Sequence, residues 1–158
     1  MNSTARRLKR DADFLIKKGS LETAYALLVS ALEEIEKQNW SARTRQPKQN
    51  HKEKQKSAGL TMLAEHILSI LDSNGIEWED FASPKSTEEY EKYVSLVSRS
   101  LADSNLVTVA SQFITGGANH KKNSAYYEEK DETVLRPEVD VLAKQVEYLL
   151  NKLEQGDE

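Results

Sequence analysis

The chain has no cysteine among its 158 residues, three prolines, six glycines, and five Trp or Phe side chains in all. Without thiols there is no disulfide framework, no thiolate zinc centre and no cysteine nucleophile. So little glycine and proline excludes collagen-like and low-complexity readings. No run approaches the roughly 20 apolar residues a membrane-spanning helix needs, and the N-terminus lacks the apolar core of a secretory signal. A soluble, cytoplasmic protein with no membrane partner is therefore expected. Hydrophobic residues at 38% and charged residues at 30% suit one modest core, so a single domain over residues 1–158 is expected.

The net charge of -4 conceals an uneven distribution. Residues 1–56 hold thirteen Lys or Arg against seven Asp or Glu, and the remaining 102 residues hold nine against nineteen. The densest basic piece runs from Ser41 to Lys56, where Arg43, Arg45, Lys48, Lys52, Lys54 and Lys56 face Glu53 alone. A polyanion would be drawn there, although a solvated basic loop explains the charge equally well.

Apolar positions Leu8, Ala12, Leu15 and Ile16 recur at helical spacing up to Gly19, and a second run, Leu21 to Ile35, continues toward Trp40. A polar loop with Pro47 follows over 41–50, and Asn50 with Glu53 forms a capping-box pattern that starts a third helix at His51. Its predicted core stripe is Leu60, Leu63, Ala64, Ile67, Ile70 and Leu71, ending at Asn74-Gly75. Trp78 and Phe81 fall in a connecting loop. A fourth helix from Ser86, kinked near 103–105, reaches Gly116-Gly117, and a polar stretch with Tyr126 and Tyr127 precedes a last helix whose first turn holds Pro137. Its stripe is Val139, Leu142, Val146, Leu149, Leu150 and Leu153, and residues 154–158 are expected to fray. The fold expected is all-α, an antiparallel bundle of four to five helices.

Phosphate-cradling loops, metalloprotease histidine pairs, nucleophile elbows and dinucleotide fingerprints are all missing. His51, His66 and His120 show no metal-ligand spacing, so neither metal nor cofactor is expected. His66 borders the stripe of the third helix and reads as a satisfied boundary histidine, and Trp40 as a cover for the basic loop. The candidate chemistry lies where the second and third helices meet. Glu33 and Glu34 can each neutralise Lys37 on one helix surface. His51 and Lys54 share a face at a helix N-terminus, where unpaired N–H groups favour phosphate. A neutral His51 could act as base toward a ribose 2′-hydroxyl while Lys54 or a loop arginine opposes the phosphate charge. The plain alternative is an exposed histidine among solvated lysines.

The segment Ala31-Leu-Glu-Glu-Ile-Glu-Lys37, the basic loop, His51-Lys-Glu-Lys54, and later Ala125-Tyr126-Tyr127 with Pro137 together resemble the AbiV-type abortive-infection branch of the HEPN superfamily. Glu36 stands where that family more often has glycine. The resemblance implies a HEPN-like bundle, a homodimer, and metal-independent endoribonuclease chemistry built on an Arg-x4–6-His motif. Arg45 and His51 match that spacing, but Pro47 between them prevents one continuous helix. On this reading His51 is acid or base, Arg45 and Lys54 stabilise phosphate charge, and Glu34 with Lys37 orients them. Arg43, Lys48, Lys52, Lys56 and Tyr127 would bind RNA. A phage or antitoxin protein is a further implied partner. Two other readings stay open: a noncatalytic HEPN-like RNA-binding or interaction module, and a helical scaffold whose basic loop meets an acidic protein.

Overall fold

The computed structural model describes residues 2–43, 50–102, 104–126 and 134–156, of which 39–43 are described by backbone alone. Among these are eight helices and no strand: α1 (Ser3–Lys17), α2 (Leu21–Arg43), α3 (His51–Ser73), α4 (Trp78–Ala82), α5 (Thr87–Ala102), α6 (Asn105–Thr115), α7 (Gly117–Tyr126) and α8 (Arg136–Gly156). The all-α expectation holds, with five long helices and three short ones.

α2 is the central element. Ala24, Tyr25, Ala26, Leu28, Val29, Ala31, Leu32 and Ile35 are all fully buried, and a helix apolar on nearly every side must be covered all round. α1, α3, α7 and α8 supply the cover. α8 presents the predicted stripe of Val139, Leu142, Val146, Leu149 and Leu150 to the same core. Asn2 caps α1 through Ala5 N at 2.9 Å, and its Nδ2 also reaches the Glu34 carbonyl at 3.1 Å, fastening α1 to α2.

α3 departs from its predicted stripe. Leu60 is 51% exposed, and the buried face is Gln55, Ala58, Gly59, Met62, Ile70 and Leu71. The cause is close packing on α6: a Cβ at Gly59 would stand 2.8 Å from the Ala110 carbonyl oxygen and 2.9 Å from Phe113 Cβ. The smallest residue, not the largest apolar ones, marks the line of nearest approach.

Several boundaries also differ from expectation. The α2 backbone stays helical through Arg43, three residues into the expected loop, and residues 44–49 lie outside the described set. Trp78 to Ala82, expected as loop, forms α4, whose Phe81 ring packs 6.1 Å from Tyr93 of α5. The polar stretch after Gly116 is helical too. Gly116 adopts φ of 90°, which ends α6 in the left-handed region and lets α7 begin at once in a new direction. α8 runs to Gly156, and Arg6 holds its Glu154 at 2.7 Å. No helix among the described residues is long and apolar enough to cross a membrane.

α7 is held differently from the other helices. Ala118 is its one residue in the apolar core, whereas Lys121 lies 3.2 Å from Glu138 of α8 and Lys122 lies 2.7 Å from Glu33 of α2. Glu138 also accepts from Gln112 Nε2 at 2.6 Å, and Gln112 in turn accepts from the Tyr25 hydroxyl at 3.0 Å.

Candidate functional site

α3 begins with the capping box its sequence predicts. Asn50 Oδ1 accepts from Glu53 N at 2.9 Å, and Glu53 Oε2 accepts from Asn50 N at 3.0 Å. This cap fixes the first helical residue, His51, beside α2. His51 Nδ1 stands 2.6 Å from Glu33 Oε2; the imidazole is 68% exposed, the carboxylate only 7%.

Glu33 is the hub of the site. Its other oxygen, Oε1, accepts from Gln55 Nε2 at 2.6 Å and Lys122 Nζ at 2.7 Å. Gln55 is one helical turn beyond His51, on the same face of α3, so one carboxylate engages both. Burial pushes the Glu33 carboxyl up, but the hydrogen bonds from Lys122, Gln55 and His51 outweigh it and hold the group below the ordinary carboxylate range. An ionised carboxylate only accepts, so the proton between the pair belongs to His51 Nδ1. In the neutral ring Nε2 then carries the lone pair, the tautomer a general base requires.

A cleft of about 580 Å³ opens beside the imidazole, lined by Asn50, His51, Lys52, Asn119, Lys122, Asn123 and Tyr126. That volume falls within the roughly 300–1,000 Å³ typical of ligand clefts. α7 forms one wall and the first turn of α3 the other. Tyr126 shares its hydroxyl with Ser30 Oγ at 2.9 Å and donates to the Ala26 carbonyl at 3.3 Å, yet the residue is 45% exposed. It both anchors and offers a ring face.

The expected site residues separate into groups. His51 and Lys52 border the cleft, Lys54 lies half-buried further along the same turn, and Lys56 is exposed. Glu34 and Lys37 do form their pair, at 3.9 Å, but the carboxylate in contact with His51 is Glu33. The reason is rotational: α2 turns Glu33 toward α3 and α7, while the Glu34 backbone meets the cap of α1. Arg45, Lys48 and Tyr127 lie outside the described residues, as do the side chains of Arg43 and Trp40. His66 departs from the satisfied state expected of it, since its buried Nε2 has no hydrogen-bond partner among the described residues. His120 is exposed on α7.

Sequence reasoning passed over Gln55, Asn119 and Lys122 and treated Glu33 as a surface partner of Lys37. A signal existed for the pair Glu33 and Glu34, which together interrupt the densest apolar run of the chain between Leu32 and Ile35, but not for Glu33 over Glu34. Among the described residues no group of three or more His, Asp or Glu is placed to hold a metal ion.

An all-α arrangement of this kind is consistent with a HEPN-like helical fold. The chain belongs to the AbiV-type HEPN family: the family model HEPN_AbiV, described as AbiV, matches residues 1–155. It is thus an abortive-infection HEPN-like protein. No curated relative and no solved structure matches it.

Proposed function

We propose that this protein is a metal-independent endoribonuclease, and the observation that carries the reading is the 2.6 Å contact between His51 Nδ1 and the buried Glu33 carboxylate at the rim of a cleft. His51 Nε2 removes the proton of a ribose 2′-hydroxyl, and the 2′-oxygen attacks the adjacent phosphorus. The bond from phosphorus to the 5′-oxygen breaks, that oxygen takes up a proton from water, and the products are a 2′,3′-cyclic phosphate and a 5′-hydroxyl. Glu33 stabilises the imidazolium that forms, as a buried carboxylate does for any histidine base. It takes the orienting role that Glu34 and Lys37 were expected to fill.

Charge on the phosphate is opposed by Lys52 and Lys54 near the helix start, and by Arg45 from the sequence between α2 and α3. The unpaired N–H groups at the N-terminus of α3 favour the same anion. Arg43, Lys48, Lys56 and Tyr127 extend the RNA-binding surface. A homodimer would supply a second copy of each group, and an antitoxin or phage protein would act on the same basic surface.

The test is cleavage of labelled RNA by the purified protein in EDTA beside its His51→Ala variant, with end-group analysis. Cyclic-phosphate ends that fall by about 100-fold or more in the variant support the reading. Equal or absent cleavage in both folded proteins would replace it with a noncatalytic HEPN-like RNA-binding or interaction module.

A further inference from the structure

The Glu33 carboxylate dictates how two amides beyond it are turned. Because a carboxylate accepts and does not donate, Gln55 must direct Nε2 to it; the reversed amide would set Oε1 against Glu33 Oε1 at 2.6 Å. The second N–H of that nitrogen goes to Asn119 Oδ1 at 3.3 Å. Gln55 Oε1 is correspondingly left with no partner among the described residues. Asn119 thus spends its oxygen on Gln55 and keeps Nδ2, with two N–H donors, for the cleft it lines. Two turns further along α7, lining the same cleft, stands Tyr126, fastened by its hydroxyl to Ser30 and Ala26. A held aromatic face beside fixed polar groups is how single-stranded bases are stacked and read.

We propose that the cleft is a nucleobase pocket for the nucleotide whose 2′-hydroxyl meets His51. With the 4-position of a pyrimidine or the 6-position of a purine facing its Nδ2, Asn119 selects a carbonyl over an amino group: uracil over cytosine, and guanine over adenine. An amino group would bring donor against donor. Tyr126 stacks whichever base enters. This specificity rests on the reading of the protein as an RNA-acting one, and concerns base choice, not bond cleavage.

The test uses short oligo-U and oligo-C RNAs, which differ at that one carbonyl or amino position and its neighbouring ring nitrogen. Their binding to the full-length His51→Ala protein is followed by fluorescence anisotropy, so no cleavage enters the readout. Oligo-U binds about tenfold more tightly, the worth of one well-placed hydrogen bond. Adding Asn119→Asp keeps an oxygen for Gln55 but presents an acceptor to the cleft, and the U:C ratio inverts. Adding Asn119→Ser introduces no charge and brings the ratio to about one. Equal affinity for the two RNAs, no RNA binding, or a ratio unchanged in both folded Asn119 variants overturns the proposal. Cleavage by the wild-type protein without base preference overturns it too and leaves the nuclease reading intact. A ratio that inverts in a protein whose wild-type form cleaves nothing supports the pocket and removes the nuclease.

Discussion

Lys122 and Glu33, 89 residues apart in the chain, meet at 2.7 Å with each side chain only 7% exposed. The pair joins α7 to α2 and sits directly behind His51. Neither member is dispensable alone, because deleting one strands the other charge away from water. Glu33→Ala and Lys122→Met are each expected to lower stability by about 3 kcal/mol in urea unfolding. The double variant Glu33→Ala/Lys122→Met costs less than the two single losses combined. Strictly additive losses would show that the two residues do not act as a pair.

Acid sensitivity follows from the same carboxylate. Burial pushes Glu33 up, yet its hydrogen bonds hold it below 4.5 in the folded state; Glu138 and Glu147 behave alike, with Leu135 N, Gln112 and Lys121 supporting the first and Arg6 and Lys9 the second. A depressed folded value means the stabilisation is whole above the unfolded value and drains as pH falls through the folded one. Melting temperature should therefore stay level from neutral pH down to about 4.5 and then drop steeply. Glu33→Gln should start lower at neutral pH and fall less. A parallel fall in the two proteins would deny Glu33 this role.

Asn50→Ala removes the side chain that opens α3. Losing an N-cap costs about 1 kcal/mol. Since His51 is the next residue, the first turn also loses its hold on the imidazole. Any cleavage rate should fall in kcat, and Asn50→Ser should restore most of it. A stability loss with undiminished kcat would mean that the cap does not place His51.

Gly59→Ala sets two effects against each other. Alanine improves helix propensity by about 1 kcal/mol over glycine. The new methyl, however, would lie 2.8 Å from the Ala110 carbonyl oxygen and 2.9 Å from Phe113 Cβ and Ile114 Cγ1. Overpacking of this kind costs about 1–3 kcal/mol and should prevail, because backbone cannot rotate away. Chemical denaturation of the variant reads the sign directly, and a stabilised variant would mean that α3 and α6 separate freely.

Much of the helical layout was legible because it rests on local chemistry. The apolar stripe of α8, the stop at Gly19 with φ of 78°, and the Asn50–Glu53 box all depend on neighbours within about one turn. The rotation of α3 was hidden, since what decides it is the Ala110 carbonyl on another helix. His51 was visible as a helix-start histidine between basic residues. Its partner could not be fixed from sequence, because Glu33 and Glu34 differ only in which way α2 turns them. Asn119 and Lys122 share a face one turn apart, but only once residues 117–126 are known to be helical. Composition alone disguised that: α7 contains His120, Lys121, Lys122 and Asn123 and almost nothing apolar to mark a periodicity.

That scarcity of apolar contacts sets α7 apart in how it would come loose. Swinging it away from α2 and α8 would bare little hydrocarbon of its own but would wet the apolar α2 residues it covers, so the opening should still respond to urea, which senses newly wetted surface. The same motion would part Lys121 from Glu138 and Lys122 from Glu33, leaving carboxylates ready to take up protons. One wall of the cleft is therefore latched by protonation state as well as by the oil it covers, and acid can loosen it before the scaffold behind it yields.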